Sequence, residues 1–236
     1  MAETVTIPGR FNGPPGSANG GYTCGRVAEL VEAEVAGVSL RSPPPLDHPL
    51  EVARHGERVE LHDGETRVAD GGPEELLLDV PDALPAEEVA AAVEAGREKW
   101  VAGHPFPTCL VCGPGRDDGF GITPAPLPGR HRMFGACWTP AEETDQGDGC
   151  ARPEFVWAAL DCPTSAPVAN FGEGPAMVLA SLTARIGCPV RVGEPHTILS
   201  WPLEEDGRKH WAGAALYDSR GLLMAASRAL WIELRE

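Results

Sequence analysis

Apolar and polar residues alternate along much of the chain, which predicts strands with one buried face. In the first part of the sequence these stretches cover residues 4–7, 37–41, 50–55, 58–63 and 66–70. In the last part they cover residues 132–138, 177–186, 197–203, 210–217 and 222–233. Turn-forming pairs such as Asp63-Gly64 and Asp206-Gly207 separate consecutive strands. Each group therefore predicts an antiparallel meander.

Three other stretches show the spacing of helices rather than strands. The first covers residues 22–34 and follows an irregular loop rich in glycine and proline. The second covers residues 84–101, where two glutamates stand in the first turn and alanines favour the helix. The third covers residues 153–163 and opens with Pro153, which suits the first turn. Pro163 is expected to end or disturb this helix.

The order of these elements indicates an internal repeat. A loop, a helix and a meander follow one another in residues 1–82 and again in residues 129–236. Residues 83–128 hold the second helix and an irregular cysteine-containing loop, and we predict that they connect the two parts. The pattern predicts an α+β protein of two similar units, each built around one helix.

Length and charge narrow the choice of partners and of cell compartment. The 236 residues fit one large domain or two smaller ones. The net charge of −16 argues against nucleic acid and against an anionic membrane surface as partners. No apolar run approaches the length of a membrane span, and the first ten residues lack the pattern of a signal peptide. Seven irregularly spaced cysteines favour a reduced, cytoplasmic protein.

Two short stretches carry the candidate chemistry. In R-P-E-F-V-W-A-A-L-D, residues 152–161, the single acid Asp161 follows an apolar run. It either terminates the helix or is placed in a cleft, and the sequence leaves both interpretations open. Asn19-Gly20-Gly21 is likewise either a turn with a helix cap or part of a site. No Lys-Ser or Lys-Thr follows these glycines, so a phosphate-binding P-loop is excluded.

Together these features resemble the tandem, or double, hotdog proteins of the acyl-CoA thioesterase-like superfamily. Asn19-Gly20-Gly21 resembles the [His/Asn]-Gly-Gly that opens the central helix in many of these enzymes, and Asp161 resembles the acid near the end of that motif. The sequence P-V-R-V-G-E-P, residues 189–195, resembles a turn between the strands that follow the helix. The resemblance implies two fused hotdog units, each an antiparallel sheet wrapped around one long helix.

Neither part of the chain carries the whole motif. Arg152-Pro153-Glu154 stands where the second helix would open with glycines, and Ala28 stands where the first helix would carry the acid. The resemblance therefore implies one composite site, in which two antiparallel helices bring the start of one beside the acid of the other.

In such a site Gly20 and Gly21 would offer backbone N–H groups to a thioester oxygen, and Asn19 would position water or the carbonyl group. Asp161 would activate a water molecule or attack as a nucleophile. Thr183, on the first strand after the second of these helices, is a weaker candidate for a polar partner.

The implied function is hydrolysis of an acyl-CoA or a related thioester, with no cofactor. Because the motif is incomplete in both parts, a non-catalytic hotdog protein that binds an acyl or aromatic ligand stays open as the alternative. A hotdog dehydratase ranks last, since it usually needs a histidine on the helix. Arg26, Arg152 and Arg185 are candidates for contacts with the phosphates of coenzyme A. A homodimer formed through sheet edges is compatible with this fold.

Cys109-x-x-Cys112, with His104 upstream, raises the question of a metal or redox site. A structural zinc site needs four ligands, and the sequence has no second Cys-x-x-Cys and no His-x-x-x-His. The other cysteines stand alone, and Cys162 is expected to be a core residue of its helix. We therefore expect a buried or loop-packing role for the pair and no metal ligand, with zinc and redox chemistry as alternatives.

Overall fold

The computed structural model describes residues 3–169 and 176–234. These residues form three α-helices: α1 (Gly20–Ala28), α2 (Ala86–Gly103) and α3 (Pro153–Ser165). Single 3-10 turns lie at Gly9–Phe11 and Glu142–Thr144. Among the helices of the described residues, none is both long and apolar enough to cross a bilayer.

Eleven strands form one antiparallel sheet. In chain order they are β1 (Thr4–Thr6), β2 (Val35–Leu40), β3 (Pro49–His55), β4 (Arg58–Asp63), β5 (Thr66–Pro73), β6 (Ala125–Pro126), β7 (Phe134–Trp138), β8 (Met177–Ile186), β9 (His196–Asp206), β10 (Lys209–Tyr217) and β11 (Leu223–Glu233). Their order across the sheet is β1-β3-β4-β5-β2-β8-β11-β10-β9-β7-β6. The predicted α+β class, with meanders in the first and last parts of the chain, is therefore confirmed.

The strand order repeats. The series β1-β3-β4-β5-β2 has its counterpart in β7-β9-β10-β11-β8, and each series has one helix, α1 or α3, between its first two strands in the sequence. The two series meet where residues 35–39 of β2 pair with residues 181–185 of β8. One continuous sheet therefore joins the first and last parts of the chain.

One boundary differs from the prediction. Helix α1 ends at Ala28, whereas the apolar spacing predicted a helix through residue 34. Val35, which fits that helical spacing, instead begins β2 and pairs with Arg185. The partner strand thus decides the conformation of a β-branched residue whose position in the sequence fits both patterns.

Helices α1 and α3 pack against each other and against the sheet. Every residue of α3 from Glu154 to Thr164 is buried, which is the environment of a central helix. Gly21 of α1 faces Trp157 and Gly25 faces Glu154, so the two helices run antiparallel. A β-carbon on Gly25 would lie 2.5 Å from the Cα of Glu154, so the approach requires glycine there.

Helix α2 lies outside this pair. It packs against β6, β7 and β9 through Val89, Ala92 and Val93, which form a second, smaller apolar cluster. The loop that follows α2 returns to the helix pair, since the Leu110 N–H donates to the carbonyl oxygen of Asn12 over 2.8 Å. The connector thereby brings Cys109 and Cys112 beside the start of α1.

Candidate functional site

Asp161 lies near the end of α3 and is 2% exposed. Its Oδ2 accepts a hydrogen bond from the Gly21 N–H over 2.8 Å and one from Asn19 Nδ2 over 3.3 Å. Its Oδ1 is buried and has no hydrogen-bond partner among the described residues. Since buried carboxylate oxygens are normally hydrogen-bonded, this atom is the kind of group that a water molecule or substrate completes.

Asn19 links this carboxylate to the start of α1. It is the N-cap residue, and its Oδ1 accepts from the Tyr22 N–H over 2.8 Å, the contact that favours asparagine at helix starts. The cap fixes the side chain, so its Nδ2 is directed at Asp161. The same Nδ2 lies 3.8 Å from Cys109 Sγ and 3.9 Å from Cys162 Sγ. One amide group therefore contacts both the acid and two thiols.

The two glycine amides have different roles in the structure. The Gly21 N–H is occupied by Asp161, which differs from the expectation that both amides would face a substrate oxygen. The Gly20 N–H has no hydrogen-bond partner in the described part of the chain, and Gly20 lines the neighbouring cavity. At the first position of α1 this amide adds to the positive end of the helix dipole. Of the two glycine amides, it is therefore the one that could bind an oxygen atom of a ligand.

A cavity of about 710 Å³ opens beside these groups. Its polar wall includes Asn19, Gly20 and Asp161. Its apolar wall includes Leu40, Trp100, Phe106, Met177, Leu179 and Trp231. A mostly apolar cavity with a few convergent polar groups is the usual form of a small-molecule site.

The electrostatics of the site follow from its burial. Burial raises the pKa of Asp161 to about 7, against the opposing hydrogen bonds from the Gly21 N–H and Asn19. The negative charge of Cys109 also raises this pKa. Hydrogen bonds from Cys112 and Cys162 hold the pKa of the Cys109 thiol well below its usual range. The acid and the thiols therefore influence one another.

Three cysteines meet at one wall of this cavity. The Sγ atoms of Cys109, Cys112 and Cys162 all lie within 4.8 Å of one another, and all three residues are buried. The sequence placed the first two in a loop and treated the third as an isolated core residue. The one feature of the sequence that could have predicted this cluster is the position of Cys162 directly after Asp161, a candidate site residue.

The opposite end of the helix pair carries a different set of residues. Glu154 at the start of α3 approaches Glu29 at the end of α1, with Arg26 and Arg152 paired to them over 2.8 and 3.2 Å. Burial and a hydrogen bond with the Glu154 carboxyl raise the pKa of Glu29 to about 7. Two carboxyl groups and two guanidinium groups occupy the place that corresponds to Asp161 and the glycines at the first end.

The raised pKa of Glu29 predicts a pH-dependent stability. A carboxyl group whose pKa is higher in the folded state stabilises the fold below its ordinary pKa, and this contribution is lost as the pH rises through about 7. Glu29→Gln should therefore raise the melting temperature at about pH 8 but leave it nearly unchanged at about pH 5. The side chain is 32% exposed, so solvent screening limits the gain to roughly 1 kcal/mol. Equal shifts at both pH values, or an equal gain in the exposed control Glu32→Gln, would contradict this account.

The structure brings together four of the five residues predicted for the site. Asn19, Gly20, Gly21 and Asp161 converge at one end of the helix pair. Thr183 does not join them. It lies on β8 between the buried Leu182 and Ala184, is only half-buried, and is not part of the cavity wall.

Comparison with known proteins finds similarity at the level of structure. No protein-family model and no curated protein matches the sequence. The chain superposes on the tesB protein of Mycobacterium avium subspecies paratuberculosis with a TM-score of 0.62 and 10% identity, covering 98% of this chain and 91% of that one. A candidate thioesterase from Novosphingobium aromaticivorans gives a TM-score of 0.62 at 14% identity, and the superposition covers 99% of this chain and 95% of that one. The predicted likeness is confirmed: the chain has the hotdog-like fold of these thioesterase structures over nearly its whole length.

Proposed function

We propose that the chain consists of two fused hotdog units, residues 1–82 and 129–236, joined by the connector of residues 83–128. The repeated strand order and the pairing of β2 with β8 support this division. Each unit contributes one helix to the central pair, α1 from the first and α3 from the second. The site at the end of that pair then belongs to both units.

We further propose that this composite site hydrolyses a thioester. One observation carries the proposal: a buried carboxylate with an unpartnered oxygen lies beside the first amides of a helix at the wall of an apolar cavity. A thioester carbonyl placed there would have its oxygen at the Gly20 N–H and its carbon near Asp161. Amides at a helix start stabilise the negative charge that develops on such an oxygen.

In the proposed reaction Asp161 acts as a general base. Its Oδ1 takes a proton from a water molecule, the water oxygen bonds to the carbonyl carbon, and the carbonyl electrons move onto the oxygen held by Gly20. The carbonyl then re-forms, the C–S bond breaks, and the sulfur leaves as the free thiol with the proton that Asp161 took, which restores the carboxylate. Asn19 and the Gly21 N–H hold the carboxylate in place through its other oxygen. In direct attack, a carboxylate oxygen of Asp161 would bond to the carbonyl carbon, the C–S bond would break with the sulfur leaving as a thiolate, and water would then open the resulting mixed anhydride.

The cavity supports an acyl chain or an aromatic ring as the non-reacting part of the substrate. The arginines predicted to bind coenzyme A phosphates are instead paired with acids: Arg26 with Glu29, Arg152 with Glu154 and Arg185 with Glu34. Those three arginines also lie outside the cavity wall, whereas Arg41, which pairs with Asp70, and Lys99 line the cavity. We propose Arg41 and Lys99 for the phosphates because of this position. The cytoplasmic location stays a prediction from the sequence.

Release of free thiol from a panel of acyl-CoA esters tests this function. Short, long and aromatic esters should each be tested as substrates of the wild type and of Leu40→Trp. Leu40 is half-buried in the cavity wall, so this substitution places a large ring in the cavity. We expect the wild type to hydrolyse at least one ester. In Leu40→Trp we expect kcat/KM to fall by about 10-fold or more for the bulky esters and by less for the acetyl ester, because only the larger acyl groups need the space that the tryptophan fills. Equal loss for all esters would argue against the cavity as the acyl site.

The binding-protein alternative has one observation in its favour. Because the Gly21 N–H already bonds to Asp161, only one amide of the pair stays open for a substrate oxygen. Tight binding of one acyl ligand, measured by calorimetry, without thiol release from any ester would favour the non-catalytic function.

A further inference from the structure

The geometry of the three thiols fits a soft metal ion. Tetrahedral Zn²⁺ with thiolate bonds of about 2.3 Å holds its sulfurs about 3.8 Å apart. Cys109 Sγ and Cys162 Sγ lie 3.7 Å apart, and Cys112 Sγ is within 4.8 Å of both. Cys109 and Cys112 have the Cys-x-x-Cys spacing that is common in zinc sites, and Cys162 comes from a different element, α3.

N–H groups are directed at the sulfurs of the cluster. The backbone amides of Val111 and Cys112 hydrogen-bond to the sulfur of Cys109. Asn19 Nδ2 faces the sulfurs of Cys109 and Cys162 over 3.8 and 3.9 Å. Every sulfur of the cluster thus has an N–H group directed at it, once the contact of Cys112 with His104 is included. A bound cation would balance the charge of the three sulfurs as thiolates, because unpaired buried charge is costly.

His104 contacts one sulfur of the cluster without being one of its three ligands. Its Nδ1 accepts a hydrogen bond from the Phe106 N–H over 3.0 Å, so in the neutral ring the proton is on Nε2. Nε2 lies 3.2 Å from Cys112 Sγ and donates to it. Because its ring nitrogens do not lie within 4.8 Å of all three sulfurs, His104 is a positioning residue for Cys112.

We propose that Cys109, Cys112 and Cys162 form a three-thiolate site for Zn²⁺, with its fourth position open to the cavity. Each of the three residues lines the cavity, and no carboxylate oxygen of the described residues completes the group. A water molecule or a ligand in the cavity then takes the fourth position, which is the arrangement of zinc sites that keep one exchangeable ligand. Asn19 connects the site to Asp161, since its Nδ2 contacts both.

Metal content of the purified protein tests the proposal independently of any activity. We expect about one zinc ion per chain after purification in reducing buffer without chelator. Zinc-edge X-ray absorption should give three sulfur scatterers at about 2.3 Å and one nitrogen or oxygen scatterer at about 2.0–2.2 Å. Cys109→Ser and Cys162→Ser should each lower zinc affinity by at least about 10-fold. Cys188→Ser is the matched control, because this half-buried cysteine lies outside the cluster, and it should keep the metal.

Variants of His104 distinguish a zinc site that this residue supports from three thiols that are only close together. His104→Ala should weaken zinc binding by roughly 10–100-fold, and His104→Gln, which keeps an N–H donor, should recover part of that loss. Melting temperatures of the zinc-free variants check that each is folded. Zinc-free wild-type protein that takes up no metal on titration with Zn²⁺, or a Cys109–Cys162 disulfide in reducing buffer, overturns the proposal. So does a coordination shell with four sulfurs or with fewer than three.

Discussion

Asp161→Asn is expected to lower kcat/KM for the best acyl-CoA ester by at least about 100-fold, which corresponds to roughly 2.7 kcal/mol of activation free energy. Asparagine is close to aspartate in shape, and its Oδ1 can still accept from the Gly21 N–H, so the helix contact is kept. What is lost is the group that takes the proton from water, since an amide has no basic oxygen at neutral pH. Initial rates of thiol release at several substrate concentrations measure the effect.

Asp218→Asn provides the matched control for this substitution. Asp218 is also buried, at 9% exposure, but its contacts are with Arg220 and Leu222 in a turn outside the cavity wall. This variant should keep the wild-type kcat/KM, and thermal unfolding of both variants checks that the fold is intact. Wild-type turnover in folded Asp161→Asn would place the base elsewhere and refute the proposed mechanism.

Gly25→Ala is expected to lower the free energy of unfolding by about 1–3 kcal/mol, although alanine is the better helix former. The added methyl group would lie 2.5 Å from the Cα of Glu154 and 3.0 Å from the Cβ of Trp157. Neither atom is the free end of a side chain, so the backbones of α1 and α3 must separate. Denaturant unfolding with a constant slope measures the change.

Gly20→Ala in the same helix distinguishes crowding from a general effect of replacing glycine. Its added methyl group would lie 3.0 Å from Leu179 Cδ2 and 3.3 Å from Leu40 Cδ1, which can rotate away, and 3.2 Å from Leu179 Cβ, a milder contact than the 2.5 Å approach at Gly25. We expect a smaller loss than at Gly25, of roughly 1 kcal/mol or less. If Gly20→Ala destabilised the protein as much as Gly25→Ala, close helix packing would not be the reason for glycine at position 25.

The strands could be predicted closely because alternation in the sequence directly reports the two faces of a sheet. Residues 58–63 and 177–186 were predicted with the bounds that β4 and β8 have. The end of α1 could not be predicted, since Val35 fits both a helix face and a strand, and only its pairing with Arg185 decides between them. Local pattern is therefore informative until a distant partner selects between two conformations.

The candidate site was predictable where a motif carried it and not where the fold assembled it. Asn19-Gly20-Gly21 and Asp161 stood out as short patterns, although 140 positions separate Gly21 from Asp161. The approach of Cys162 to Cys109 spans 53 positions and depends on the path of the connector loop, which has no periodic pattern. Thr183 was chosen for its place after the helix, but the cavity wall includes β8 only from Met177 to Ala180, and Thr183 lies further along the strand.

Because one chain supplies both α1 and α3, the two ends of the helix pair are free to differ. In a dimer of identical subunits related by a two-fold axis, both ends would carry the same residues, and every substitution would appear twice. Here one end holds Asp161 with the glycine amide, and the other holds Glu29, Glu154 and their arginines. Titration with a ligand of the cavity should therefore give a simple hyperbola with one equivalent per chain, without cooperativity between paired sites.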